Sequence, residues 1–451
     1  KNTRRGNCPS RAAVRSRGQV ERRDGCVVRE CVRILNRTRM RFAACLCLLL
    51  GSTFAAWASD YRDFDQPPHD YWKRTPHDRF SRWMTNVQAG KVELDYSGEK
   101  AFVASVLKSL DIPASSQMLL FSTTSLQLSL ITPRNPRALF FNEDVYLGWV
   151  LGGKIEIVSV DPELGGVFYI FDIPRSGQPP RPERATRCMN CHAREDTGYV
   201  PGLVVKSVIP GVRGGSLESF RQEQSGHGIP LTQRFGGWYL TGTGNFTNHL
   251  ANFFGSLSPQ GIQRQYVQPG VAFNFDRYLA PHSDVLPQLV HEHQVGFVNR
   301  AVEASYRTRT ALADGQGKLT PADAAMVEQQ ARGLARYLLF ADEVPLPPGG
   351  VKGDDDFKRD YASVRRLGPS GASLKDLDLR TRLFKHRCSP MIYSLAFQGL
   401  PPEVKQRVFT RLAQALDSAK PDAEYAYLPA AEKQTIRGIL KATLPELPKN
   451  W

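Results

Sequence analysis

The sequence predicts an α+β protein in three parts: a β-rich N-terminal domain, a central segment around a single Cys-x-x-Cys-His motif, and a helical C-terminal region. Three observations carry this. Between Ala101 and Asp172 the runs "QMLLFSTTSLQLSLI", "ALFFNEDVYLGWVLGG", "KIEIVSVD" and "GVFYIFDI" are rich in β-branched and aromatic residues and bounded by Pro, Gly and Asn-Glu-Asp turns. They read as four or five strands of an antiparallel sheet. From Pro287 onward apolar residues recur at helical spacing, and between these regions a Pro- and Arg-rich linker delivers the chain to "RCMNCHARED", Arg187 to Asp196.

Taken in order, residues 1–39 are Arg-rich, start with Lys and show no apolar periodicity. They read as an extension upstream of a start at Met40, outside the fold. "MRFAACLCLLLGSTFAAWASD" then has a short basic start, an apolar run from Phe42 to Leu50 and a small-residue end at Ala56-Trp57-Ala58. This pattern predicts a signal peptide over 40–58, cleaved near Ala58, and therefore a periplasmic protein. A retained anchor fits less well, because Gly51, Ser52 and Thr53 break the apolar run before it reaches spanning length.

Charge follows the same division. The formal charge is +15, but residues 1–58 hold thirteen Lys and Arg against three acids, so the rest carries only +5 over 393 residues. A balance that mild does not ask for nucleic acid as a partner. With 41% hydrophobic and 10% aromatic residues, the remainder can bury a large core.

Residues 59–173 make the β-rich domain, entered through "DQPPHDYWKRTPHDRFSRWM", an extended segment leading to a short helix. Residues 174–286 form the attachment region around the motif, with "GLVVKSVIPG" and "RFGGWYLTGTGNF" as Gly-punctuated strands. Residues 287–451 form the helical domain. Its first helix places Leu289, His293 and Phe297, with Val290, Ala301 and Ala304 on neighbouring rows, on one apolar face. Thr320-Pro321 opens a second helix as N-cap and first residue, "PPGGVKGDDDFKRD" reads as a polar loop with Asp354 to Asp356 solvated, and "PPEVKQRVFTRLAQALDS" and "PAAEKQTIRGILKATL" supply two more helices.

Of eight cysteines, five fall before residue 59, leaving Cys188, Cys191 and Cys388. Three cysteines, two of them in one tight motif, do not make a disulfide framework. Cys-x-x-Cys-His is the spacing of covalent c-type haem attachment: two thiols reach the two vinyl groups and the adjacent imidazole meets the iron. A zinc site would need two further ligands, of which only Cys388 could be a thiolate. A thioredoxin-like site should open a helix after a strand, whereas here a Pro-rich linker precedes Cys188. The expected cofactor is one haem c per chain, with Cys188 and Cys191 holding it and His192 as proximal ligand to the iron.

A second axial ligand would set the potential. Met326 and Met391 read as packing residues. His249 in "NFTNHLANF", His293 on the apolar helix face and His227 in "SGHGIP" are the distal candidates, in that order. Trp238 and Tyr239 read as core or haem wall, Arg187 and Arg194 as propionate partners or solvated cations, and Cys388 as a buried inert thiol.

Several stretches, "TPRNPRALFFNEDVYLGWVLGG", "VDPELGGVFYIFD", the motif, "PGLVVKSVIP", "RFGGWYLTGT", "HEHQ" and "LRTRLFKHRCSPMIYSLAFQGLP", together resemble a functionally uncharacterised family of large exported bacterial cytochrome c-like proteins with a single haem. The resemblance covers roughly residues 60–451. It implies haem binding and electron transfer, with Cys188, Cys191 and His192 in their attachment and ligand roles. Where such relatives read Arg-His-Met-Gly-Asn, this chain has Asn248-His249-Leu250-Ala251-Asn252, which keeps the His and loses the Met.

The expected function is thus one-electron transfer between redox donor and acceptor proteins in the periplasm, with peripheral membrane contact left open. One motif is too few for a multihaem wire or a two-haem peroxidase. A shuttle could be much smaller than this chain, and that excess keeps two alternatives: a haem enzyme acting on peroxide or a small molecule, and a haem-based sensor.

Overall fold

In the computed structural model, which describes residues 63–175, 177–220, 226–244, 246–449 and 451, the β-branched and aromatic runs form a long antiparallel meander. Its strands are β1 (Met118–Leu120), β2 (Arg137–Phe141), β3 (Val145–Trp149), β4 (Lys154–Asp161) and β5 (Gly165–Asp172). Each pairs with the next, and β5 also pairs with a two-residue edge strand, β6 (Glu183–Arg184). Two ribbons follow the order of the chain: β7 (Val208–Pro210) with β8 (Ser216–Ser219), and β10 (Phe253–Ser258) with β11 (Gly261–Tyr266). Between them, β9 (Trp238–Tyr239) returns to β1 and completes a seven-stranded sheet of order β6-β5-β4-β3-β2-β1-β9. The expected signal peptide and upstream extension lie outside the described residues.

The sheet is covered on both faces. Because strand side chains alternate, Ala138, Phe140, Leu147, Trp149, Ile155, Ile157, Tyr169 and Phe171 pack into one core with Phe80 and Trp83 of α1 (Arg79–Gln88) and Phe102 and Val106 of α2 (Glu99–Ser109). Phe141, Tyr146 and Val160 look the other way, into a second core. That core is built on α4 (Val285–Asp314), α5 (Pro321–Leu338), α8 (Pro402–Ala415) and α9 (Ala430–Thr443), the short α3 (Met189–His192) lying in the motif itself. With α6 (Asp355–Ser363) and α7 (Leu395–Gln398), the described residues hold nine α-helices. None of these is long and apolar enough to cross a membrane.

The mixed α and β composition expected from the sequence is present, and several elements differ from expectation. Instead of one apolar face, α4 is buried on all sides from Val285 to Asn299, as befits a helix at the centre of a core. The run "STTSLQLSLI" does not extend β1: residues 122–131 form turns, with Leu126, Leu128 and Leu130 exposed. The loop is instead pinned by Ser125 Oγ and Gln127 Nε2, which donate to Glu156 Oε1 at 2.9 and 3.1 Å. The second half of "PPGGVKGDDDFKRD" is helix, because Asp354 accepts from Phe357 N–H as an N-cap and Phe357 and Tyr361 are buried. Thr320 and Asp323 form the capping box that opens α5.

Gly165 opens β5 at φ +74°, and a Cβ there would come within 2.7 Å of Pro201 O and of Val302 Cγ1. Both strain and space exclude a side chain. Gly165→Ala is expected to cost about 2 kcal/mol, read as a lower urea midpoint at unchanged slope. A midpoint equal to that of the parent would show that the close approach is not maintained in solution.

Candidate functional site

The motif hangs from the edge of the sheet. Strand β6 is held by Arg184, whose guanidinium donates to the carbonyls of Tyr71, Trp72 and Arg74 and stacks over the Tyr71 and Trp72 rings. A single 3₁₀ turn, Thr186–Cys188, runs into the four residues of α3. Met189 and Ala193 are buried and fix this turn against the protein. Cys188 is left half-buried and Cys191 exposed, both as free thiols. The helical turn brings the two thiols and the imidazole into one short segment.

His192 is held from two sides. Its Nδ1 is 2.9 Å from Gly202 O, so Nδ1 carries the proton and donates, which leaves the lone pair on Nε2. Its ring packs against Phe168 of β5, centroids 4.5 Å apart. Burial pushes the imidazole down to about 4, opposed by the Gly202 hydrogen bond, so it is neutral at neutral pH. The segment that supplies Gly202 O is fixed in turn: Gly202 N–H donates to His192 O at 2.9 Å, and Asn299 of α4 brackets Leu203, accepting from its N–H at 2.7 Å and donating to its carbonyl at 2.8 Å. An oriented, neutral imidazole with Nε2 open is what an axial ligand requires.

The Cys188 thiol is not activated by its surroundings. Burial pushes the Cys188 thiol up to about 12, with the Glu156 carboxylate adding to the rise and Arg137 opposing it, whereas a reactive Cys-x-x-Cys thiol is lowered. Among the described residues no group of three or more His, Cys, Asp and Glu is arranged to hold a bare metal ion. A haem iron asks less of the chain, because the macrocycle supplies four ligands and the protein one or two.

No protein-family model matches this sequence, and no curated protein or solved structure is similar to it. The site is therefore read from its own geometry.

A cavity of about 1030 Å³ borders the motif, lined by Ala185, Thr186 and Arg187 on the approach to Cys188. Its apolar wall comes from Phe102, Leu126, Leu130, Ile170 and Ile173, and its charged lining mixes Lys154, Arg175, Arg184 and Arg187 with Glu99, Asp172 and Glu183, Lys154 being paired with Asp172. An apolar wall with a mixed charged rim suits an amphipathic ligand. Outside this lining, on the sheet face that bears Phe168 and Ile170, Arg137 of β2 pairs with Glu156 of β4 at 2.5 Å, both side chains 14% exposed.

The structure does not bring the three distal candidates to His192. His227 and His293 meet each other, Nδ1 to Nδ1 at 2.8 Å, in a stack with Tyr337 and Phe340. His293 Nε2 is 2.7 Å from Ser389 Oγ and His227 Nε2 is 3.4 Å from Ala341 O, so every ring nitrogen of the pair is engaged. His249 sits beyond β9, its ring 5.0 Å from that of Phe246 and its Nδ1 accepting from Ala251 N–H at 3.2 Å. Strand β9 lies five strand spacings from β5, about 24 Å along the sheet.

The other singled-out residues fall into place. Met391 is fully buried and Met326 packs against the same core. Trp238 donates its indole N–H to Lys206 O and Tyr239 its hydroxyl to Pro133 O, both within the cores. Cys388 is fully buried, and burial pushes its thiol well up. Arg187 and Arg194 are exposed, and only Arg187 lines the cavity. Sequence reading missed Phe168, Gly202, Arg137 and Glu156. For the last two a signal existed, a charged residue on the half-buried face of an otherwise apolar strand.

Proposed function

We propose that this chain is a c-type cytochrome, in which Cys188 and Cys191 hold one haem by thioether bonds and His192 Nε2 is the proximal ligand. The observation that carries the reading is the His192 Nδ1 to Gly202 O hydrogen bond within a Cys-x-x-Cys-His turn. Bound there, the haem supplies a reversible one-electron change at its iron. The chain's own residues do the rest. Gly202 O fixes the tautomer and raises the basicity of Nε2, Phe168 and Ala193 limit water at the ring, and α4 holds Gly202 in place through Asn299. Electron exchange with donor and acceptor proteins in the periplasm follows from the expected export, and the resemblance to exported single-haem cytochromes points the same way.

A second reading has its own support. With His227 and His293 bonded to each other and His249 in the loop after β9, none of these three is in contact with His192 among the described residues, and a haem held there could keep an open sixth position, as in a haem enzyme or sensor.

The test is an absorption spectrum of the chain from Ser59 onward, exported from a host that matures c-type haem, oxidised and reduced, with and without CO. A sharp reduced α-band that survives denaturation and ignores CO supports the electron carrier. Covalent haem whose spectrum shifts at once with CO supports the open site. Absence of covalent haem overturns both.

A further inference from the structure

The pair formed by Arg137 and Glu156 is incomplete. Glu156 is fully used, accepting from Ser125 Oγ and Gln127 Nε2 on Oε1 and meeting Arg137 Nη2 through Oε2. Arg137 is not, for its Nε is buried with no hydrogen-bond partner. A buried guanidinium with an unmatched N–H carries a cost of about 1 to 3 kcal/mol, and that cost is removed by a second anion. The guanidinium also occupies a prepared seat: it lies against Gly148 of β3, where a Cβ would come within 2.6 Å of Nε. It lies on the sheet face that carries Phe168, whose ring packs against His192. Of the other cations near the motif, Arg187 is exposed, Lys154 pairs with Asp172 at 2.9 Å, and Arg184, whose Nε is also buried without a partner, has its two terminal nitrogens tied to three backbone carbonyls.

On the haem reading above, we infer that Arg137 is the cation that pairs with a haem propionate, a positioning residue seated on Gly148 and oriented by Glu156. A guanidinium suits this role because its fork can serve one carboxylate through Nη2 and another through its remaining N–H groups. The pairing keeps the propionate ionised.

The test is the midpoint potential against pH, from 5 to 8, for the covalently loaded full-length protein and for Arg137→Gln, Glu156→Gln and the double variant, with haem content read by alkaline pyridine spectra. In the parent the profile is flat. Arg137→Gln lowers the potential, since losing a positive charge favours Fe(III), by about tenfold in the redox equilibrium, or 59 mV. It also makes the potential fall as pH rises, because the unpaired propionate now titrates in this range. Glu156 left alone would titrate as well, and the double variant separates the two: it keeps the pH dependence if a propionate is the partner, and returns to the flat parental profile if Glu156 is the whole purpose of Arg137. The second result overturns the inference while leaving the cytochrome reading intact. A parent that holds no covalent haem overturns both. If Arg137→Gln does not fold, Arg137→Lys replaces it. Charge is then kept and the fork lost, so the expected result is a near-parental potential with a propionate that begins to titrate below pH 6, and a fully flat profile overturns the inference.

Discussion

Replacing Cys188 and Cys191 together by alanine is expected to leave a folded protein that retains no haem after denaturation. Neither thiol is in a disulfide, Cys191 is exposed and Cys188 half-buried, so the fold loses little: about 1 kcal/mol for truncating one half-buried sulfur. On the proposed haem attachment the effect on the cofactor is total, since the thioether bonds would have no other anchor in the motif. Single replacements should each leave one bond, with a reduced α-band moved to longer wavelength by the vinyl group left unsaturated. Denaturing electrophoresis with haem staining, beside far-ultraviolet circular dichroism of the same sample, checks this. Stain that persists in the double variant would place the attachment elsewhere.

Acid should unfold this protein steeply below about pH 4.5. Six histidines have imidazoles held down by burial: His192 to about 4, His227 and His291 to about 3, His293 far below its ordinary value, and His249 and His386 below theirs. A base whose folded-state value is depressed stabilises fully above its unfolded value of about 6.5, and that stability drains as pH falls toward the folded value. His227 and His291 are each worth on the order of 4 kcal/mol by pH 3. Burial also raises Glu292 and Glu343 to about 7, and these act in the opposite sense, gaining stability as pH falls from 7 toward their unfolded values near 4.5. Between pH 6.5 and 4.5 the two sets oppose each other. Below 4.5 the glutamate gain is complete, Asp144, raised to about 6 by burial, adds only until its unfolded value near 3.8, and the histidine loss continues.

The hydrogen bonds explain why the His227 and His293 pair resists a proton. His227 Nε2 donates to Ala341 O, so its Nδ1 accepts from His293 Nδ1, and His293 Nε2 accepts from Ser389 Oγ. A proton on His227 Nδ1 would set two N–H groups facing each other. His291, among Phe141, Tyr146 and Trp238, has no hydrogen-bond partner among the described residues. His291→Leu should therefore move the acid midpoint to lower pH. Urea titrations at pH 7, 5 and 3.5 decide it, and equal stability of the parent at 7 and 3.5 would refute the burial argument.

The meander was legible because β2 to β5 are runs rich in β-branched and aromatic residues closed by turn residues, and because consecutive strands pair locally. The capping of α5 by Thr320 was equally local. What could not be read was set by distance along the chain. Phe168 and Gly202 meet His192 only through tertiary packing, Arg137 and Glu156 meet across two strand spacings, and the partner of His293 is 66 residues away. The Leu126, Leu128 and Leu130 alternation has the period of a strand, but Glu156 captured the intervening Ser125 and Gln127 instead. In α4, periodicity suggested a single apolar face, while Gln288, Glu292 and Gln294 are buried as well, since a central helix answers to neighbours on every side.

The return of β9 to β1 bears on the order of assembly. Leu119 pairs with Tyr239, closing a loop of about 120 residues that contains the whole motif, at a chain-entropy cost of about 4 kcal/mol. The β2 to β5 hairpins need no such closure and can form early, so topology makes the β1 to β9 seam a late event. Until it closes, Cys188 and Cys191 trail from the edge of a partly formed sheet, open to whatever must reach them. The motif lies at the opposite edge of that sheet and Cys191 stays exposed in the finished fold, so the last seam to close leaves the way to the thiols open.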